Sequence, residues 1–194
     1  MSNIKKLKCR KCGNNLTGKN NSKIFFCLSC RLGYDISGEK AGMYNLAFGE
    51  PVRKENFLME YFPFWKLNCE INVENRSEDI KKRSEVIFYI PSFYIKNINY
   101  FGDLGYYYMK KNVVIDTGEK KDLQVFPADR GLNDVISYPK IYLLKDLSKE
   151  INKLDLDINV RILEKSLILI PFYFKDHLYY DSILFWKYPS GALI

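Results

Sequence analysis

Four cysteines carry the strongest chemistry in the sequence. Cys9-Arg10-Lys11-Cys12 is followed, after fourteen residues, by Cys27-Leu28-Ser29-Cys30. Two residues between thiols let a tight turn aim both sulfurs at one ion, and two such pairs complete a tetrahedral four-thiolate site. Cys9, Cys12, Cys27 and Cys30 are therefore the expected ligands of one metal ion. Zn²⁺ is the expected ion. A rubredoxin-like iron site uses the same four thiolates, but nothing else in the sequence suggests redox work. With every position filled by protein, the site is expected to be closed and structural. Two disulfides are the competing reading. The N-terminus, Met1-Ser2-Asn3-Ile4-Lys5-Lys6, has no apolar h-region, which argues for a reducing compartment and a cytoplasmic protein, free or at the periphery of a membrane complex.

Other candidate chemistry is sparse. The sequence has one histidine, so any Ser-His or Cys-His pair must use His177. Asp176, His177 and Asp181, with Lys175 nearby, are the one cluster that could serve catalysis. Adjacent side chains in an extended segment point apart, so the cluster is weak. The fifth cysteine, Cys69, lies in an alternating segment beside Trp65, Leu67, Ile71 and Val73, and is expected to be a buried, unreactive thiol. There is no G-x-S-x-G, P-loop or dinucleotide fingerprint. The chain is expected not to be an enzyme.

The elements that hold these residues divide into two parts. Residues 1–40 hold nine of the 30 Lys and Arg and two of the 23 Asp and Glu, so the whole formal charge of +7 sits there. The expected division is a zinc ribbon over 1–40, a connector over 41–56 and an α+β domain over 57–194. The ribbon has too few apolar side chains to hold itself together by burial, so the metal must supply much of its folding free energy. Gly13 follows the first Cys pair, where a positive φ is cheap for glycine. The second pair has its glycine late, at Gly33. Lys23–Phe26 and Tyr34–Ile36 read as its strands.

The second part is expected to be a mixed or antiparallel β-sheet with one or two packed helices. Residues 65–74 alternate strictly, as a strand with one wet face does. Residues 75–85 read as a polar loop carrying Lys81-Lys82-Arg83, and 86–95 as an interior strand. Ile98, Phe101, Leu104, Gly105 and Tyr108 recur at helical spacing. Residues 113–115 and 123–126 read as short strands. The best helix covers about 139–154, with Leu144, Leu147, Ile151 and Leu154 as its stripe. Residues 158–162 and 167–174 read as a hairpin turning at Glu164-Lys165, followed by strands over 178–181 and 183–188. Phe62-Pro63-Phe64-Trp65, Ile90-Pro91-Ser92-Phe93-Tyr94 and Ile170-Pro171-Phe172-Tyr173-Phe174 each place proline inside an apolar run, which marks a bulge, an edge or a strand end. Their aromatics are expected in the core.

On the cysteine spacing and the Pro-aromatic segments, the chain resembles a group of uncharacterised bacterial proteins with an N-terminal CxxC…CxxC zinc ribbon. The resemblance implies a metal-binding module and no particular activity. The expected function is a non-catalytic interaction or scaffold protein that partners a larger complex. The alternative is a nucleic-acid-binding protein. In it Lys5, Lys6, Lys8, Arg10, Lys11, Lys19, Lys23 and Arg31 would contact phosphates, with Phe25, Phe26 and Tyr34 as stacking residues. Basic side chains on one face would favour nucleic acid, and scattered ones would favour solvation. No apolar run is long enough for a membrane helix.

Overall fold

The computed structural model describes residues 7–75, 80–96, 104–119, 123–147 and 156–192. Lys5, Lys6, Ile98, Phe101, Ile151 and Leu154 lie outside them. The fold is α+β. Its strands are β1 Ile24–Cys27, β2 Leu32–Asp35, β3 Gly42–Phe48, β4 Leu58–Asn75, β5 Ile80–Pro91, β6 Leu156–Lys175, β7 Leu178–Asp181 and β8 Lys187–Pro189. Its helices are α1 Leu104–Lys110, the single turn α2 Leu132–Val135, and α3 Tyr138–Leu147. The strands join in one path, β1-β2-β3-β6-β4-β5, with β7 on β6 and β8 on β7. The sheet is mixed because β3 runs parallel to β6 while the other pairs are antiparallel.

Residues 41–56 are not a plain connector. Their first half is β3, which joins the hairpin β1–β2 to β6 through Leu46↔Leu167 and Phe48↔Leu169. The alternation of buried Leu46 and Phe48 with less buried neighbours is the strand signal, masked in the sequence by nearby Gly42, Asn45 and Gly49.

The expected hairpin over 158–174 is one strand of 20 residues. Glu164 and Lys165 stay in the ladder opposite Asn68 and Leu67. The irregularity there is a bulge: Asn68 pairs with Glu164 and Cys69 with Ile162, so Leu163 is the extra residue. A bulge absorbs an out-of-phase residue without reversing the chain. The bulge is also why dry residues are odd-numbered at Leu167 and Leu169 but even-numbered at Ile158, Val160 and Ile162.

The polar loop expected over 75–85 is corrected in the same way. Residues 80–85 belong to β5 and pair with β4, so Arg83 lies opposite Asn72. Arg83 and Arg161 converge on Glu70, whose carboxyl is held below the usual range by Arg161 first and Arg83 next. An acid on the wet face is thereby buried with two partners. The strand expected over 113–115 is not formed, the nearest bridge being Gly49↔Thr117 just after it, and that expected over 123–126 has the single bridge Tyr61↔Val125. The last strand is shorter than 183–188.

Helix α3 buries a different face from the one its leucines suggest. Pro139 and Tyr142 are buried, whereas Ile141 and Leu144 are exposed. The latter face Ile158, Val160 and Ile162 across an open groove of about 780 Å³. Helix α1 lies on the edge of β5, so close that a side chain on Gly105 would collide with the Tyr89 carbonyl. The core has two layers. Trp65, Leu67, Cys69 and Leu167 face one side of the sheet, and Phe62, Phe64, Ile168 and Phe172 the other.

The prolines fall where the ladder is interrupted. Pro63 lies one residue beyond the last β4–β5 pair, Phe64↔Pro91, and its carbonyl accepts the Ser92 N–H and hydroxyl. Pro91 ends β5. Pro171 falls in the gap between β3 and β7 along one side of β6, and its carbonyl accepts the Ser182 hydroxyl at 2.6 Å. Since N and C=O of a strand residue point the same way, each missing N–H of Pro63 and Pro171 faces a gap. The aromatics beside them, Phe62, Phe64, Phe93 and Phe172, are buried; Tyr94 is exposed.

Candidate metal centre

Cys9, Cys12, Cys27 and Cys30 come together with all four sulfurs within 4.8 Å of one another. Cys12 Sγ and Cys27 Sγ are 3.6 Å apart, and all the cysteines are free thiols. A disulfide needs about 2.05 Å. Zinc–sulfur bonds of ~2.3 Å in a tetrahedron place sulfurs ~3.8 Å apart, so this set can hold one metal ion and its thiolates suit zinc.

Each pair sits on a tight corner. In the first, Cys9 N–H donates to the Asn14 carbonyl, Gly13 N–H donates to the Cys9 carbonyl, and Gly13 takes φ +75°. The Lys11 N–H points at Cys9 Sγ at 3.4 Å. In the second corner the left-handed position directly after Cys30 is filled by Arg31, at φ +53°. The Asn14 side-chain amide donates to Ser29 Oγ and ties the corners together. One sulfur of each pair is inside, Cys9 and Cys27, and one is outward, Cys12 and Cys30.

Arg31 thus holds in the second corner the place that Gly13 holds in the first, and the late Gly33 has another purpose. In the antiparallel hairpin β1–β2, paired residues share a face. Cys27↔Leu32 and Phe25↔Tyr34 belong to the metal face, and Ile24↔Asp35 and Phe26↔Gly33 to the body face. The metal face has a small cluster of Cys9, Cys27, Leu32 and Tyr34. On the body face, Ile24 and Phe26 enter the main core. A side chain on Gly33 would collide with Leu167. Asp35 accepts the Leu132 N–H at 2.8 Å and so caps α2 from across the molecule.

Tyr34 is the residue beside the four sulfurs that spacing could not reveal. Its hydroxyl lies 3.2 Å from Cys9 Sγ. That hydrogen bond holds the Cys9 thiol down at about 6 and raises Tyr34 in return. Cys30 is pushed up to about 12, first by the Cys12 sulfur, and burial raises Cys27. Thiols this close all ionise only when a cation shares the space.

The basic residues of the ribbon divide. Lys23 pairs with Asp134 and Arg31 with Glu119, each at 2.8 Å, so two of them tie the ribbon to the body. Lys8, Arg10, Lys11 and Lys19 are exposed.

The other candidates are kept apart. Asp176 and His177 are the two central residues of the β6–β7 turn, with φ +51° and +61°, the backbone of a tight hairpin turn, and both are exposed. Asp181 is buried, with its carboxyl raised by burial, and accepts Tyr108 OH at 2.6 Å and the Ile183 and Leu184 N–H groups. Cys69 is fully buried, its thiol pushed up to about 11 by burial. It pairs with Ile162, and the turn follows Lys175 on the same strand, roughly 40 Å further along at ~3.3 Å per residue. Among the described residues, no helix is long and apolar enough to cross a membrane.

No family model matches the chain, and neither a curated protein nor a solved structure matches it.

Proposed function

We propose that the chain is a non-catalytic zinc-ribbon protein that serves as an interaction or scaffold subunit of a larger assembly. Cys9, Cys12, Cys27 and Cys30 hold one structural Zn²⁺. The observation that carries this reading is the closed four-sulfur cluster on one face of a hairpin whose other face is built into the body's core. Four protein ligands leave no position for substrate or water, so the ion's work is to fix shape. The residues that could have made an enzyme, Cys69 and His177, lie far apart, one sealed and one on an exposed turn. The pairing of Lys23 and Arg31 with acids of the body weighs against a phosphate-binding ribbon.

Two measurements on the full chain test the reading. X-ray absorption at the zinc edge should show one zinc with four sulfur neighbours at ~2.3 Å. A nitrogen or oxygen neighbour, or iron in place of zinc, overturns the closed structural site. In native extract the chain should elute in an assembly larger than its own 22.9 kDa, which survives nuclease and disperses in Cys12→Ser. Elution as a monomer overturns the scaffold role. Dispersal by nuclease, with binding that falls steeply with salt, replaces it with nucleic-acid binding.

A further inference from the structure

A second cleft lies away from the cysteines, where β5 ends at Pro91 and α3 begins. It has a volume of about 400 Å³, and its walls include Tyr94, Tyr138, Tyr142, Lys96 and Arg130. That is within the roughly 300–1,000 Å³ of small-molecule sites. We propose that this cleft binds a small anion carrying a flat aromatic ring.

The charged side chains that line the cleft are of one sign. Lys96 and Arg130 line the cleft and no acid does. Neither cation has an ion-pair partner among the described residues. The acids nearest in sequence, Asp129 and Asp134, feel the Arg130 charge through space but make no ion pair with it. Asp134 bonds Lys23 and the Gly131 N–H. Burial raises the Asp129 carboxyl, and its Oδ1 is buried without a hydrogen-bond partner among the described residues. Arg130 is half-buried, so its guanidinium has lost part of its water, and among the described residues it donates to the Tyr138 hydroxyl. A guanidinium has five donors. A carboxylate or phosphate in the cleft would take the rest in charge-assisted bonds.

The aromatic part follows from the walls. Tyr138 and Tyr142 meet edge to face at 5.7 Å, and Arg130 lies over the Tyr138 ring at 4.8 Å. Exposed Tyr94 stands at the mouth. Rings at right angles offer one face and one edge to a flat guest. The walls are also fixed before anything binds. Arg130 N–H donates to the Ser92 carbonyl at 2.9 Å, and its own carbonyl accepts Trp65 Nε1 at 3.1 Å. Tyr142 is packed against Gly105. A preformed site loses little freedom on binding.

The test is ligand-observed NMR and calorimetry on the full zinc-loaded chain. The probes are phenyl phosphate and indole-3-acetate. The controls are inorganic phosphate, phenol and tryptamine, which lack the ring, the charge or its sign. Both probes should saturate one site with Kd at or below the millimolar range. Every control should bind at least about tenfold more weakly, the equivalent of one lost charged hydrogen bond. Arg130→Met should weaken the probes about tenfold or more. Lys96→Met, at an exposed side chain that leaves folding untouched, should weaken them severalfold. Ile141→Ser, in the separate groove beside β6, should change nothing. The proposal is overturned if neither probe binds, if the controls bind equally well, or if Lys96→Met has no effect. Loss of binding in Ile141→Ser places the ligand in the groove and also overturns it.

Discussion

The two faces of the hairpin β1–β2 are held by different physics. The metal face buries four side chains, Cys9, Cys27, Leu32 and Tyr34, too few to fold by burial. A metal bound by the four sulfurs would supply its free energy by coordination, on the order of 10 kcal/mol as in zinc-finger peptides. The body face, a strand's thickness away, places Ile24 and Phe26 in a large apolar core, each contributing about 1.5–3 kcal/mol. Alternation along a strand lets four residues answer to an ion and a core at once. A metal ion held there would be a clasp on the edge of the whole sheet, and its loss should be felt in the body.

The largest test of that contrast is Cys27→Ser or chelation. Both should remove hydrogen-exchange protection from residues 7–35. Because Ile24, Phe26 and the Asp35 cap leave with them, the body's Tm should also fall, by on the order of 10 °C. Calorimetry that shows the body melting unchanged would break the comparison and make the ribbon an independent module. Next in size is Gly33→Val, which forces a side chain against Leu167. It should destabilise the chain by about 2–3 kcal/mol in denaturant titration while zinc stoichiometry stays at one. Zinc loss in this variant would mean that the two faces are not separable.

Tyr34→Phe acts on the metal face alone. It removes the hydroxyl beside Cys9 and should weaken zinc about tenfold in chelator competition. The charge-transfer band of the Co²⁺-loaded chain should shift, and Tm in saturating zinc should stay put. An unchanged band would show that the hydroxyl does not reach the bound sulfur. The smallest effects compare the two corners. Gly13→Ala should cost about 1 kcal/mol, because a Cβ is unwelcome at φ +75°. Arg31→Gly relieves a similar strain and gives up an exposed pair with Glu119 worth at most about 1 kcal/mol, so its stability should stay near wild type. The opposite ranking in thermal melts would deny that Arg31 occupies the corner Gly13 occupies.

Much of this was legible in the residues themselves. Two C-x2-C pairs name the four cysteines that cluster, because two residues between thiols is a local, steric statement. The alternation from Trp65 to Val73 names a strand and its dry side, and so the burial of Cys69, because the period of two is local as well. Tertiary structure decided the rest. Leu156–Lys175 contains two apolar runs and a charged pair, which suit a hairpin or one long bulged strand equally. Only pairing with β4, on the other side of the chain, selects the strand. Helix α3 has apolar residues on two faces, and contact with α1 and the sheet determines that Tyr142 goes in and Leu144 stays out. Gly33 looks like a late corner glycine until Leu167 is seen above it, and Tyr34 looks like any strand aromatic until Cys9 lies beside its hydroxyl. Spacing along the chain encodes what neighbours can do together. What a side chain meets across 100 residues depends on register and packing, which no local pattern contains.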